Sequence, residues 1–300
     1  MTGFVALGDS ITLGMGDPVT DDRCRTDPAR EGGWRGWAAI LAPSLGMELH
    51  NLATSGALST DVEREQLPRA LELAPSVAAV VVGVNDTLRH GFDVARVGAA
   101  MAHTVGALSA AGARVLTMRL PDPGRMFGLP GALARPLQRR IAAVNAVVDV
   151  VAERFGTVHF DAAGHPETYD RRMWSVDRLH PSERGHRLVA HAYAVLLDVP
   201  PAGRPDREPS GRPATRRAQL GWLATKGTGW VLRRSTDLVP YLLGMATAEW
   251  WYARRGGSDR LDATLVRETA AAVEALRGPA RLGAWPDLMD AHPTSFDRSR

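Results

Sequence analysis

The sequence predicts an α/β protein built on a doubly wound parallel sheet. Short apolar runs alternate with helix-length stretches over residues 1–198. One run, Ala79-Val80-Val81-Val82-Gly83, is apolar on both faces, as a central parallel strand covered by helices must be. Residues suited to chemistry cluster just after the runs, where an open α/β sheet binds its ligands.

The elements follow in order. A first strand over Phe4–Leu7 runs straight into Gly8-Asp9-Ser10. After a long loop, Asp17–Gly33, a helix is expected over Trp34–Leu45, then a strand over Glu48–Leu52 and a helix over Leu67–Leu73. The double-apolar strand Val77–Gly83 precedes a helix over Val94–Ala111, a strand over Arg114–Leu120 and a helix over Gly131–Arg154. A last strand, Thr157–Phe160, leads to a helix over Ser182–Leu197, where Pro181-Ser182 reads as a capped helix start. This gives a domain over 1–199. Residues 200–217 turn to Pro, Gly and Arg and read as a linker. Residues 218–278 form a mainly helical extension, rich in Trp and Leu up to Arg255 and amphipathic over Thr264–Leu276. The tail, 279–300, has no clear period and is expected to be poorly ordered.

Composition narrows the function classes. With 45% hydrophobic and 23% charged residues, the 300-residue chain has ordinary globular composition. Its net charge is about −2 over residues 1–200 and about +5 beyond. Lys226 is the only lysine, and no basic run is interleaved with aromatics, so no nucleic-acid surface is expected. A single cysteine, Cys24, excludes an intramolecular disulfide and a cysteine-based metal site. The remaining histidines lack metal-ligand spacing with nearby acids and read as structural; neither metal nor cofactor is expected. No uncharged apolar run reaches the ~18 residues of a membrane span, and the N-terminus enters a strand without a basic, apolar leader. A cytoplasmic chain is the expectation.

The chemistry is read from four loops. A serine delivered by a strand next to glycine can serve as a nucleophile, although Gly-Asp-Ser also makes an ordinary turn. His180 is the best base for it. The Asp177-x-x-His180 spacing lets the carboxylate hold the imidazole Nδ1–H, which fixes the tautomer; alternatively Asp177-Arg178 is a surface ion pair and His180 merely flanks a helix cap. The backbone N–H groups of Ser10 and Gly56 and the amide of Asn85 are candidate oxyanion donors, with Asn85 equally suited to a turn.

Gly8-Asp9-Ser10, Gly56, Gly83-Val84-Asn85-Asp86 and Asp177-Arg178-Leu179-His180 together resemble, in order and approximate spacing, the four sequence blocks of the SGNH (GDSL) hydrolases. Asn51 fits the asparagine that precedes the glycine of the second block. The resemblance covers residues 1 to about 198 and is to intracellular actinobacterial members; the extension beyond 200 departs from the minimal family fold. It implies a flavodoxin-like three-layer α/β/α sandwich with a five-stranded parallel sheet, Ser10 as nucleophile, His180 as base and Asp177 as its orienter, with Ser10, Gly56 and Asn85 forming the oxyanion hole. The function implied is cofactor-independent O-acyl ester hydrolysis, with acyl transfer through the same triad as the alternative. A non-catalytic binding protein acting through the Trp-rich extension is a third reading, and nucleotide binding ranks last, because strand one lacks a Gly-rich phosphate loop.

Further candidates for contact with a small acyl ester substrate are Asp9, Trp34, Arg119 and Trp174, with Arg125 and Met173 beside them. In the extension, Glu249-Trp250-Trp251-Tyr252 lies between Arg233-Arg234 and Arg254-Arg255. That pattern reads either as a helical arm packed on the core or on a second subunit, or as a peripheral membrane contact.

Overall fold

The computed structural model describes residues 3–17, 33–177, 179–201 and 238–278. The expected linker, the start of the extension up to 237, the tail from 279, Arg178, Cys24 and most of the Asp17–Gly33 loop lie outside those residues. Five parallel strands form one sheet, β1 (Phe4–Gly8), β2 (Leu49–Asn51), β3 (Val77–Val81), β4 (Arg114–Arg119) and β5 (Val158–Asp161), in the order β2-β1-β3-β4-β5. This is the flavodoxin-like order, whose switch point lies between β1 and β3. Gly8 is in register with Val81, so the carboxyl ends of the two central strands are level.

Between the strands run α1 (Ser10–Leu13), α2 (Gly36–Leu45), α3 (Ser59–Asp61), α4 (Leu67–Glu72), α5 (Val84–Thr87), α6 (Val94–Ala110), α7 (Pro123–Phe127), α8 (Gly131–Phe155) and α9 (Glu183–Leu196). The pairs α2/α9 and α6/α8 pack side by side as the two outer layers. Phe4, Val5, Ala6 and Leu7 are wholly buried, as a strand covered on both faces requires. Trp37 of α2 stacks on Tyr193 of α9 with ring centroids 5.1 Å apart. The short helices α1, α5 and α7 are not foreseen in the sequence, since a single turn carries no hydrophobic period.

The helix expected over Leu67–Leu73 is longer. It starts at Ser59 and passes through a π turn, Val62–Gln66, before α4. The π turn carries Gln66 to the end of β1, where β2 has already stopped: the last β1–β2 pair is Ala6 with Asn51. Gln66 Oε1 accepts from the Gly8 N–H (2.8 Å), and Gln66 Nε2 donates to Gly8 O (2.9 Å) and Thr54 Oγ1 (3.2 Å). The side-chain amide thus completes the pairing of Gly8, whose carbonyl also accepts from the Thr54 N–H (3.2 Å). Gly8 itself has φ +150, and a Cβ there would lie 2.1 Å from Val81 O, so only glycine fits.

His186 of α9 fastens the loop after α1. Its Nδ1 accepts from the Trp37 N–H (3.2 Å) and its Nε2–H donates to Met15 O (3.0 Å). Only the neutral tautomer protonated at Nε2 makes both bonds. Burial pushes its pKa down to about 4, against the opposing pull of the Met15 carbonyl.

In the extension, α10 (Leu238–Arg254) and α11 (Ser258–Arg277) pack on α8, and α11 also packs on α6. Ala272 and Leu276 join the buried core, with Leu276 Cδ1 3.0 Å from the position of a Cβ on Gly98. Glu249, 1% exposed, receives Arg139 Nη1 and Nη2 on its two oxygens, each at 2.8 Å.

Two outcomes are expected. Gln66→Leu strips buried partners from Gly8 and costs about 2–4 kcal/mol, read as a lower urea midpoint. The stability His186 contributes is present above its unfolded pKa of 6.5 and is lost as pH falls towards 4, because the unfolded chain takes up a proton that the folded one refuses. Wild type should therefore lose about 3 kcal/mol relative to His186→Gln between those limits, measured by denaturant titration at each pH.

Candidate active site

Four loops meet at the carboxyl edge of the sheet. The first starts at Asp9, which caps α1 by accepting from the Ile11 N–H (3.0 Å). The cap places Ser10 at the first position of the helix, half-buried, where an α-helix leaves the N–H without an internal acceptor. The second loop is drawn in by Asn51, whose amide donates to Thr12 O (2.9 Å) and whose carbonyl accepts from the Ala53 N–H (3.1 Å). Gly56 on this loop has φ +85, the region that favours glycine.

The third loop carries Asn85 and Asp86. Asn85 Nδ2 donates to Ala57 O (3.1 Å) and to Asp9 Oδ2 (3.3 Å). Asp86 accepts from the N–H of Ser59 through both oxygens and from Ser59 Oγ at 2.7 Å. The loops bearing Ser10, Gly56 and Asn85 are therefore cross-linked by buried and partly buried polar bonds. Asp9 does not line the mouth as a substrate contact, because it is 2% exposed and occupied by Ile11 and Asn85. Burial raises its pKa to about 7, against the pull of the Ile11 N–H and the nearby His180.

The fourth loop follows two 3₁₀ turns, Pro166–Tyr169 and Arg171–Met173, and ends at α9. Asp177 Oδ2 meets His180 Nδ1 at 2.8 Å. Its Oδ1 accepts from Ser175 Oγ, from the Leu179 N–H (2.9 Å) and from the His180 N–H (3.1 Å). Burial acts to raise the Asp177 pKa, yet these donors together hold it below the ordinary carboxylate value. The alternative ion pair of Asp177 with Arg178 rests on Arg178, which lies outside the described residues. The Ser182 side chain caps α9, as foreseen, accepting from the Gly185 N–H. Gly16 presses the first loop onto the fourth: a Cβ there would sit 2.1 Å from Pro181 O.

Beside His180 lies a small apolar cavity of about 40 Å³ lined by, among others, Ile11, Leu120, Pro121, Trp174, Pro181 and Val189. Ile11 and Pro181 are the immediate chain neighbours of Ser10 and His180. Trp174 is fixed there by its Nε1–H donating to Thr168 O (2.7 Å), and Met173 also lines the cavity. Arg119 sits in ion pairs with Asp149 (3.2 Å) and Asp161 (3.4 Å), so an anion must displace carboxylates to use it. Arg125 stacks over the Tyr169 ring at 3.7 Å. Trp34 is half-buried next to Arg35, which clamps Asp17 through Nε (3.0 Å) and Nη2 (3.2 Å). No group of three or more His, Cys, Asp or Glu that could hold a metal occurs among the described residues.

Sequence reasoning missed Gln66 and the Ser59–Asp86 bond. The signal for Gln66 was present, as a glutamine lying between Val62 and Ala70 on a stripe that is otherwise apolar.

Residues 6–188 match the GDSL-like Lipase/Acylhydrolase family. Solved structures with the same fold include an alpha/beta hydrolase from the metagenome of Lake Arreo, Spain, which is 20% identical, covers 66% of this chain and 95% of its own, and has a TM-score of 0.51. A catalytic mutant of an acetylxylan esterase from Geobacillus stearothermophilus is 15% identical over 68% of this chain and 99% of its own, with a TM-score of 0.52. A putative lipolytic protein of the G-D-S-L family from Desulfitobacterium hafniense is 18% identical over 66% and 100%, with a TM-score of 0.51. No curated protein gives a significant match. With the family model spanning more than half of the chain, and the fold and the four loops in agreement with it, the protein belongs to the GDSL-like lipase/acylhydrolase family and is an ester hydrolase of the SGNH type.

Proposed function

We propose that the protein cleaves an O-acyl ester through an acyl-enzyme on Ser10, with His180 as base and Asp177 as its orienter. The observation that carries this reading is the 2.8 Å contact of Asp177 with His180 Nδ1, made by a carboxylate whose other oxygen is locked by three donors. A carboxylate held in this way keeps the Nδ1–H tautomer, leaving Nε2 to take a proton, and stabilises the imidazolium that forms.

In the first half-reaction Ser10 Oγ forms a bond to the acyl carbon as its proton passes to His180 Nε2. The carbonyl oxygen becomes an oxyanion facing the N–H groups of Ser10 and Gly56, and the Asn85 amide joins them by exchanging its long 3.3 Å bond to Asp9 for one to the oxyanion. On collapse the carbon–alkoxy bond breaks, and His180 returns the proton to the leaving alcohol. Water then repeats the sequence on the acyl-enzyme, releasing the acid and restoring Ser10. Asp9 is a positioning residue here: it holds the Asn85 amide and the first turn of α1. The apolar cavity beside Ile11 and Pro181 suits the hydrocarbon part of an acyl group, not a charged one.

With p-nitrophenyl esters as substrates, Ser10→Ala should lower kcat by about 10⁴-fold or more and abolish labelling by a fluorophosphonate. Full turnover by that variant would refute the assignment. Asn85→Ala should lower kcat by about 10²–10³-fold while KM changes little, since an oxyanion donor acts mainly in the transition state.

A further inference from the structure

We propose that the outer face of α10 is a peripheral docking surface for an anionic lipid bilayer. The helix has two chemically opposite sides. Glu249, its single carboxylate, is turned inward and held by Arg139. The outer side presents Leu243 (61% exposed), Trp250 (51%) and Trp251 (46%). Leu243, Thr247, Trp250 and Arg254 share one helical stripe, and Trp251 and Arg255 occupy the next. The Arg254 guanidinium lies 4.4 Å above the Trp250 ring, and that of Arg255 lies 3.6 Å above Trp251.

Packing on the core does not explain this face, because that role belongs to the opposite one. The exposed side combines large amphipathic rings with two cations, and α10 adds no acid to it. A bilayer interface supplies what such a face lacks: tryptophan settles at headgroup depth, and the guanidinium groups gain phosphate partners. A second copy in a two-fold contact would bring four guanidinium groups and no α10 carboxylate into one interface, which argues against self-association. The contact is peripheral, since no helix among the described residues is long and apolar enough to cross a membrane. Arg139 belongs to the first half of α8, the end that follows the carboxyl edge of β4, so α10 docks on the half of the molecule that carries the catalytic loops.

The test is co-sedimentation of the full chain with phosphatidylcholine vesicles, with and without phosphatidylglycerol, at low and high salt. Binding should require phosphatidylglycerol and weaken with salt. The double variants Trp250→Ser/Trp251→Ser and Arg254→Glu/Arg255→Glu should each lower partitioning by about tenfold or more. Both should keep wild-type turnover of a water-soluble ester, which shows that they are folded. Equal binding to neutral vesicles, no binding to either kind, or unchanged binding by the variants would overturn the proposal. So would a dimer in sedimentation velocity that the tryptophan variant abolishes without any effect on vesicle binding.

Discussion

The end of β1 is the point on which the site depends. A strand that releases its chain into a turn such as Asp9-Ser10 loses regular ladder pairing on one side, and an unpaired peptide in the interior costs more than one bond returns. Here the Gln66 amide satisfies the N–H of Gly8 and shares its carbonyl with the Thr54 N–H. The π turn supplies the extra residue that brings Gln66 into reach, in keeping with the frequency of such turns near functional sites. With Gly8 fixed, Asp9 can turn inward, cap α1 and hold Asn85. Ser10 and Asn85 are thus set by a single chain of bonds that begins in the buried interior.

The fourth loop is built on a different principle. Asp177 gathers Ser175, Leu179 and His180 within its own turn, so the Asp–His pair is assembled locally and needs little from the rest of the protein. What the fold adds is placement: the Gly16–Pro181 contact and the His186–Met15 bond bring this turn against the loop that carries Ser10. Neutral His186 suits that task, because a buried imidazolium between Trp37 and Met15 would leave one donor facing another.

The parts legible in the sequence were those written in consecutive residues. Short apolar runs located the five strands to within one or two residues, and the strands' ends pointed to the chemical loops. The Asp177/His180 pair was readable because three residues separate its members. Gln66 and Gly8, 58 residues apart, were not, since a polar residue in an amphipathic helix is taken for the solvent side. Composition likewise marked the extension as different, yet could not show that Leu276 closes against Gly98 or that Glu249 turns inward to Arg139. Those contacts depend on which helix lies beneath, which no local pattern encodes. Arg119 was read for its position at a strand end, whereas its neighbours Asp149 and Asp161 decide what it does.

The double clamp of Arg35 on Asp17 bears on how this protein can change over time. The two residues also share a backbone bond, Arg35 N–H to Asp17 O at 3.0 Å, and Gly36 N–H reaches the same carboxylate. The stretch between them is therefore closed at its base. Lengthening a loop whose ends are already pinned adds only a slowly growing entropic cost. The clamp therefore separates the length of chain between residues 17 and 35 from the frame beneath it, where Gly14 and Gly36 meet so closely that a Cβ on Gly14 would lie 2.7 Å from Gly36 Cα.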